Sequence, residues 1–190
     1  MNEQIRNGWL VSAQACPSPN FNSRPPGAEV SLLVVHNISL PPGQFGTGCV
    51  QQFFCNQLDH QQDPYFATIA SLQVSSHLLI ERTGALTQFV SLNDRAWHAG
   101  ASSFEGVSNC NDYSIGIELE GCDDIAYTEE QYQCLAEIAG LLFSRYPRLT
   151  KQRVVGHEDI APGRKTDPGP AFDWAYFRSL LKPHIPNYKS

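Results

Sequence analysis

A chain of 190 residues, 42% of them hydrophobic, is long enough to bury a sizeable core and is expected to form one domain over residues 1–190. Its 13 Lys and Arg residues are scattered and outweighed by 19 Asp and Glu, for a formal net charge of -6, which excludes the clustered cationic face of a nucleic-acid binder. No apolar run approaches the length needed to span a bilayer, so no membrane partner is expected, and the chain is expected to act as a monomer.

Residues 1–9 carry no basic run followed by an apolar stretch, the pattern of a secretory signal, and the expected location is the cytoplasm. Six cysteines (Cys16, Cys49, Cys55, Cys110, Cys122 and Cys134) form no C-x-x-C pair, which excludes a zinc ribbon. In that compartment they are expected to be reduced and mostly buried. Residues 17–29, with four prolines, read as an irregular lead-in. Ser31–Val35 is apolar on both parities, as in a central strand covered on two faces, and it is followed by His36-Asn37 and a break at Pro41-Pro42-Gly43.

A short helix is expected within 49–58, with Val50, Phe53 and Phe54 on one face. A hairpin follows, Ser76–Ile80 and Ala85–Val90 around Arg82-Thr83-Gly84, and then a strand over Tyr113–Leu119. The clearest helix begins at Thr128, where Thr128 and Gln131 fit a capping box. It keeps Tyr132, Leu135, Ile138, Ala139, Leu142 and Phe143 on one face and stops near Tyr146-Pro147. Arg153–Val155 is a short strand leading to Gly156-His157. A Pro/Gly-rich loop over 158–172 follows, and a last helix carries Trp174, Phe177, Leu180 and Leu181. Interleaved strands and helices predict a mixed α/β fold, and the hairpin argues against an all-parallel sheet.

His36 and His157 each follow a buried strand, and Asp167 lies ten residues after His157. Two imidazoles and one carboxylate can hold a tetrahedral zinc ion and leave one position for water, the form of a catalytic rather than a structural site. Plainer readings stand beside this one. A His after a strand is commonly a half-buried, hydrogen-bonded side chain, and an Asp before Pro a turn residue. Glu118 can be an exposed strand residue, Lys165 a solvated loop charge and Trp97 a core residue. Glu118 and Glu120 share a strand face, which also permits glycosidase chemistry.

Four strings in order resemble the AmpD-type N-acetylmuramoyl-L-alanine amidases. They are Leu33-Val-Val-His-Asn-Ile-Ser-Leu-Pro-Pro-Gly43, Arg95-Ala-Trp-His-Ala-Gly100, Ser114-Ile-Gly-Ile-Glu-Leu-Glu-Gly121 and Gly156-His-Glu-Asp-Ile-Ala-Pro-Gly-Arg-Lys-Thr-Asp-Pro-Gly169. The resemblance spans nearly the whole chain and implies a central mixed, largely antiparallel sheet flanked by helices. It implies zinc on His36, His157 and Asp167, with Glu118 and Lys165 catalytic. Asn37, Trp97 and His98 fall at substrate-binding positions, and His77 beside them also reads as a cleft residue.

The implied reaction is hydrolysis of the amide between the lactyl group of 1,6-anhydro-N-acetylmuramic acid and L-alanine in muropeptides, for cell-wall recycling. The alternatives are an amidase acting on intact murein and a zinc-free peptidoglycan-binding module. One departure stands out: the resemblance implies arginines that grip the stem-peptide carboxylate near the positions of Gln73 and Asn109, so this chain is expected to lack that bidentate clamp.

Overall fold

The computed structural model describes residues 4–181. Six strands form the central sheet: β1 (Gln14–Ala15), β2 (Leu32–Ile38), β3 (Leu78–Ile80), β4 (Leu86–Gln88), β5 (Ser114–Glu120) and β6 (Val154–Gly156), in the spatial order β6-β2-β5-β3-β4-β1. The helices are α1 (Cys49–Phe54), α2 (Pro64–Ile69), α3 (Glu129–Arg145), α4 (His157–Ile160) and α5 (Trp174–Leu180). The mixed α/β class holds, but the sheet is not largely antiparallel. The pairs β6·β2, β2·β5, β5·β3 and β1·β4 are parallel, and β3·β4 is antiparallel. The reason lies in the connections. Only β3 and β4 are joined tightly enough for a hairpin, closed by Glu81 N–H to Ala85 O and Gly84 N–H to Glu81 O, whereas β2, β5 and β6 are separated by long crossovers.

The sheet is covered on both faces, which is why its central strands read as continuous apolar runs. On one side Leu33, Val35, Ile115, Ile117 and Leu119 pack against Leu135, Ile138 and Leu142 of α3 and Phe177 of α5. On the other, Leu79 and Phe89 meet Val50, Phe53 and Phe54 of α1 and Phe66 and Ile69 of α2. Each fully buried Leu or Ile here contributes about 1.5–3 kcal/mol of transfer free energy.

Helix α3 starts as its sequence predicts. Thr128 Oγ1 accepts from Gln131 N–H, and Gln131 Oε1 accepts from Thr128 N–H. The fully buried Gln131 amide also donates to Ile80 O and Glu120 O, tying the helix start to two strand ends. The helix ends at Tyr146, extended as the residue before Pro147 must be. Two short helices were not expected. Asp63 accepts from Tyr65 N–H and Pro64 opens α2, a start signal too short-ranged to stand out. The helical turn α4 replaces an expected loop, where Asp159 Oδ2 accepts from Gly156 N–H.

All six cysteines are free. Cys49 and Cys110 are buried and the other four are half-buried, so "mostly buried" overstates their burial. Among the described residues no helix is long and apolar enough to cross a membrane.

Candidate metal centre and catalytic cleft

Polar groups in the middle of a covered sheet are costly unless they are partnered or used. In β5 one parity (Ile115, Ile117, Leu119) is core, while the other (Ser114, Gly116, Glu118, Glu120) is polar or bare. Parallel pairing sets Glu118 in register with His36 of β2. His36 thus lies within its strand rather than after it. His157 opens α4 immediately beyond β6 on the far side of β2. Three adjacent parallel strands therefore deliver two imidazoles and a carboxylate towards their carboxyl ends, where ligand sites of α/β sheets lie.

Asp167 arrives from the loop after α4, and that loop is anchored on several sides. Glu158 N–H donates to Asp167 O, and the Asn37 amide and Tyr127 hydroxyl both donate to Pro168 O. Gly169 has φ 78° and passes so close to the neighbouring chain that a Cβ there would lie 2.4 Å from the Asp123 Cα. Held this way, Asp167 Oδ2 stands 3.1 Å from His36 Nδ1 and 3.0 Å from His157 Nδ1, and the two nitrogens are 3.0 Å apart. These three side chains form a group that can hold a metal ion.

Electrostatics follow from burial. His36 is 1% exposed, and desolvation lowers its pKa to about 4, against the pull of the nearby Asp167, so the ring is neutral and offers a lone pair. Burial works to raise the Asp167 carboxyl pKa, but the neighbouring His157 and His36 outweigh it and hold the group ionised. Glu118 behaves oppositely. Burial, then the charge of Asp167, pushes its pKa well above the ordinary value, with Lys165 opposing, and its Oε2 is buried without a hydrogen-bond partner among the described residues. An orphaned buried carboxylate oxygen beside two histidines calls for a functional explanation.

The group opens into a cleft of about 450 Å³. Of the nine residues singled out from the sequence, eight line it: His36, Asn37, Trp97, His98, Glu118, His157, Lys165 and Asp167. Phe53, Phe54, Tyr65, Ile69 and Leu72 from α1, α2 and the chain just beyond form an apolar wall that the sequence did not single out as part of a site. Lys165 is exposed and, among the described residues, is the one Lys or Arg side chain in the lining.

Asn37 uses its amide donors on Asp123 Oδ1 (2.8 Å) and Pro168 O (3.2 Å), which leaves its own Oδ1 to accept from a ligand. Trp97 is not core; it is half-buried, with its Nε1–H donating to Asn22 Oδ1. His98 lines the cleft but is also bonded behind it, Nδ1 to His36 Nε2 and Nε2 to Ser114 Oγ. His77, expected at the cleft, is fully buried: Nδ1 accepts from Gly116 N–H and Nε2 lies against Asp94 O, which makes it a core residue. Asp123 was missed, because nothing in its local string separates it from a loop acid. Gln73 lines a small adjoining cavity with Phe53 and Leu72.

Comparison with known proteins gives the same picture. The family described as N-acetylmuramoyl-L-alanine amidase matches residues 26–170. The 1,6-anhydro-N-acetylmuramyl-L-alanine amidase AmpD of Citrobacter freundii is 54% identical over 179 residues, covering 94% of this chain and 95% of the relative. The AmpD of Escherichia coli (strain K12) is 54% identical over 177 residues, covering 93% and 96%.

A crystal structure of a selenomethionine AmpD derivative superposes with a TM-score of 0.91 at 53% identity, covering 94% of this chain and 99% of that one. The Escherichia coli amidase AmiD, solved in complex with its substrate anhydro-N-acetylmuramic acid-L-Ala-D-γ-Glu-L-Lys, is more distant, with a TM-score of 0.58 and 30% identity over 83% of this chain and 60% of that one. Identity sustained over nearly the full length of both partners, on a shared fold, means that this chain belongs to the N-acetylmuramoyl-L-alanine amidase family.

Proposed function

We propose that this chain is a zinc-dependent amidase that hydrolyses the bond between the lactyl group of 1,6-anhydro-N-acetylmuramic acid and L-alanine in muropeptides. The reading places it in cell-wall recycling in the cytoplasm, as one domain acting as a monomer. What carries it is the convergence of His36, His157 and Asp167 beside an unpartnered Glu118. The substrate class follows from the names of the close relatives and from the muropeptide bound by AmiD.

The donor set fits zinc. Bonds of 2.0–2.1 Å in a tetrahedron place ligand atoms about 3.3 Å apart, and the separations here are 3.0–3.1 Å. Two imidazole nitrogens and a carboxylate are the donors that borderline-soft zinc accepts. When bound, the ion polarises the scissile carbonyl and lowers the pKa of a water molecule to about 7.

Glu118 takes the proton from the attacking water and delivers it to the amide nitrogen as that nitrogen leaves. A carboxyl whose proton affinity is raised by burial suits both halves of that task. Lys165 brings a positive charge to the cleft, where negative charge grows on the carbonyl oxygen. Asn37 Oδ1 accepts from a substrate N–H, and Trp97 with the α1–α2 wall excludes water on the apolar side.

The test offers anhydro-muramyl tripeptide and intact murein to the zinc-loaded protein and to His157→Ala, and follows release of free peptide. The wild type is expected to release peptide from the small substrate, and the variant to be inactive because two ligands hold zinc poorly. Faster cleavage of intact murein would favour the alternative substrate. Less than about half an equivalent of zinc in the wild type, with no gain on adding metal, would favour a binding module.

A further inference from the structure

Both imidazoles of the metal group turn their second nitrogen to the same short segment. His36 Nε2 lies 2.9 Å from His98 Nδ1, and His157 Nε2 lies 3.1 Å from Ala99 O. The Ala99 contact has one polarity only, since a carbonyl accepts; it fixes the proton of His157 on Nε2 and leaves Nδ1 to face Asp167 and His36. The His36 contact has two possible polarities, and the group's geometry selects one. If His98 donated from Nδ1, His36 would hold its proton on Nδ1, the atom 3.0–3.1 Å from His157 and Asp167. A protonated Nδ1 cannot ligate. His36 must therefore donate from Nε2 to His98 Nδ1, and His98, protonated on Nε2, donates to Ser114 Oγ at 3.0 Å.

The segment that supplies these acceptors is itself fixed. Asn111 Oδ1 accepts from the backbone N–H of both His98 (3.1 Å) and Ala99 (2.8 Å). Arg164, from the loop that carries Asp167, donates to Ala99 O (2.6 Å) and Ala101 O (2.7 Å). The His98 ring lies against the bare backbone of Gly116, where a Cβ would sit 2.5 Å from His98 Cγ. A glycine in the middle of a central strand marks such a close approach.

From this geometry we infer that His98 is a positioning residue of the metal centre, accepting from His36 Nε2–H so as to hold His36 in its ligating tautomer and orientation. Lining the cleft is then its secondary feature. The inference rests on the metal-dependent reading above, and partners of this kind are worth roughly 10- to 100-fold in metal affinity elsewhere.

The experiment measures zinc affinity of the full chain by competition with a chromophoric chelator, for the wild type, His98→Asn, His98→Gln and His98→Ala. Metal-free thermal unfolding is recorded alongside. Asn carries its oxygen one bond beyond Cγ, as His carries Nδ1, whereas Gln carries it one atom further out. Asn is expected to keep affinity near wild type, and Gln and Ala to lose roughly 10- to 100-fold. Failure of the Ala variant to fold leaves the Asn–Gln contrast to decide. Equal zinc affinity in the wild type, Asn and Gln variants, with a raised KM for muropeptide in the substituted chains, would overturn the inference and make His98 a substrate contact. A wild type that binds no zinc would instead overturn the metal-dependent reading on which it rests.

Discussion

Glu118→Gln separates what the cleft needs from what the fold prefers. The substitution keeps the size of a side chain that is 7% exposed, and removes an ionisable group whose Oε2 has no partner. Burial, then the negative Asp167, raises the pKa of Glu118 above its ordinary 4.5. In the metal-free protein the sign is therefore fixed. Below pH 4.5 the folded and unfolded chains both hold the proton and the group costs nothing. Above it the unfolded chain ionises freely while the folded one resists. Stability then falls by about 1.4 kcal/mol per pH unit until the folded pKa is reached.

For a chain of this length, 1 kcal/mol moves Tm by about 2–4 °C. Metal-free Glu118→Gln is expected to melt above the wild type at neutral pH, with a gap that closes as pH falls towards about 4.5. Turnover of anhydro-muramyl peptide by the zinc-loaded variant is expected to drop by roughly 10²–10⁴ with the zinc content unchanged. The measurements are differential scanning calorimetry of chelator-treated protein across pH, zinc analysis and peptide release. Superimposable melting curves at every pH, or full turnover in the variant, would refute the assignment of Glu118 as a buried proton carrier.

Lys165→Met, which removes the cation lining the cleft, is expected to lower kcat by roughly 10²–10³ while the chelator-competition value for zinc stays at that of wild type. A change confined to KM would move Lys165 to ground-state binding. Gly116→Ala drives a methyl group into the His98 ring; zinc affinity measured by chelator competition is expected to fall, and an unchanged value would show that the ring can shift freely. Thr128→Ala removes the α3 cap and the bond from Thr128 Oγ1 to Arg82 O, and is expected to cost about 1 kcal/mol, near 2–4 °C in Tm, with turnover unaffected.

Local chemistry made α3 legible: a capping box, one apolar face and a stop before proline are all encoded within a few residues of where they act. The hairpin β3–β4 was legible for the same reason. Strand direction was not, because whether β2 and β5 run parallel depends on how the long connection between them crosses the sheet, and the apolar runs look alike either way. In the site, the sequence marked His36, His157 and Asp167 as candidates, but no spacing rule brings residues 121 and 131 positions apart into contact; only the resemblance did so before the fold was known.

The polar parity of Ser114-Ile-Gly-Ile-Glu-Leu-Glu120 was the signal available for a used sheet face, and it was read only as far as Glu118 and Glu120. Asn111 and Ser114 escaped because their role is to hold other side chains, and a residue of that kind has no chemistry of its own to advertise.

The parallel register also explains how a general base can be left without a hydrogen bond. A carboxylate fixed by two or three donors would have its pKa pulled down and would make a poor proton acceptor. Glu118 escapes that trade because its place is set by the main chain. It sits opposite His36 on the adjacent strand, and strands in a sheet are spaced about 4.8 Å apart. Backbone hydrogen bonds of β2 and β5 therefore fix the distance from ligand to base, and the carboxyl group keeps its full proton affinity. Had the two residues stood on elements that are not paired in one sheet, holding them in place would have required side-chain donors, and those donors would have spent the basicity that the reaction uses.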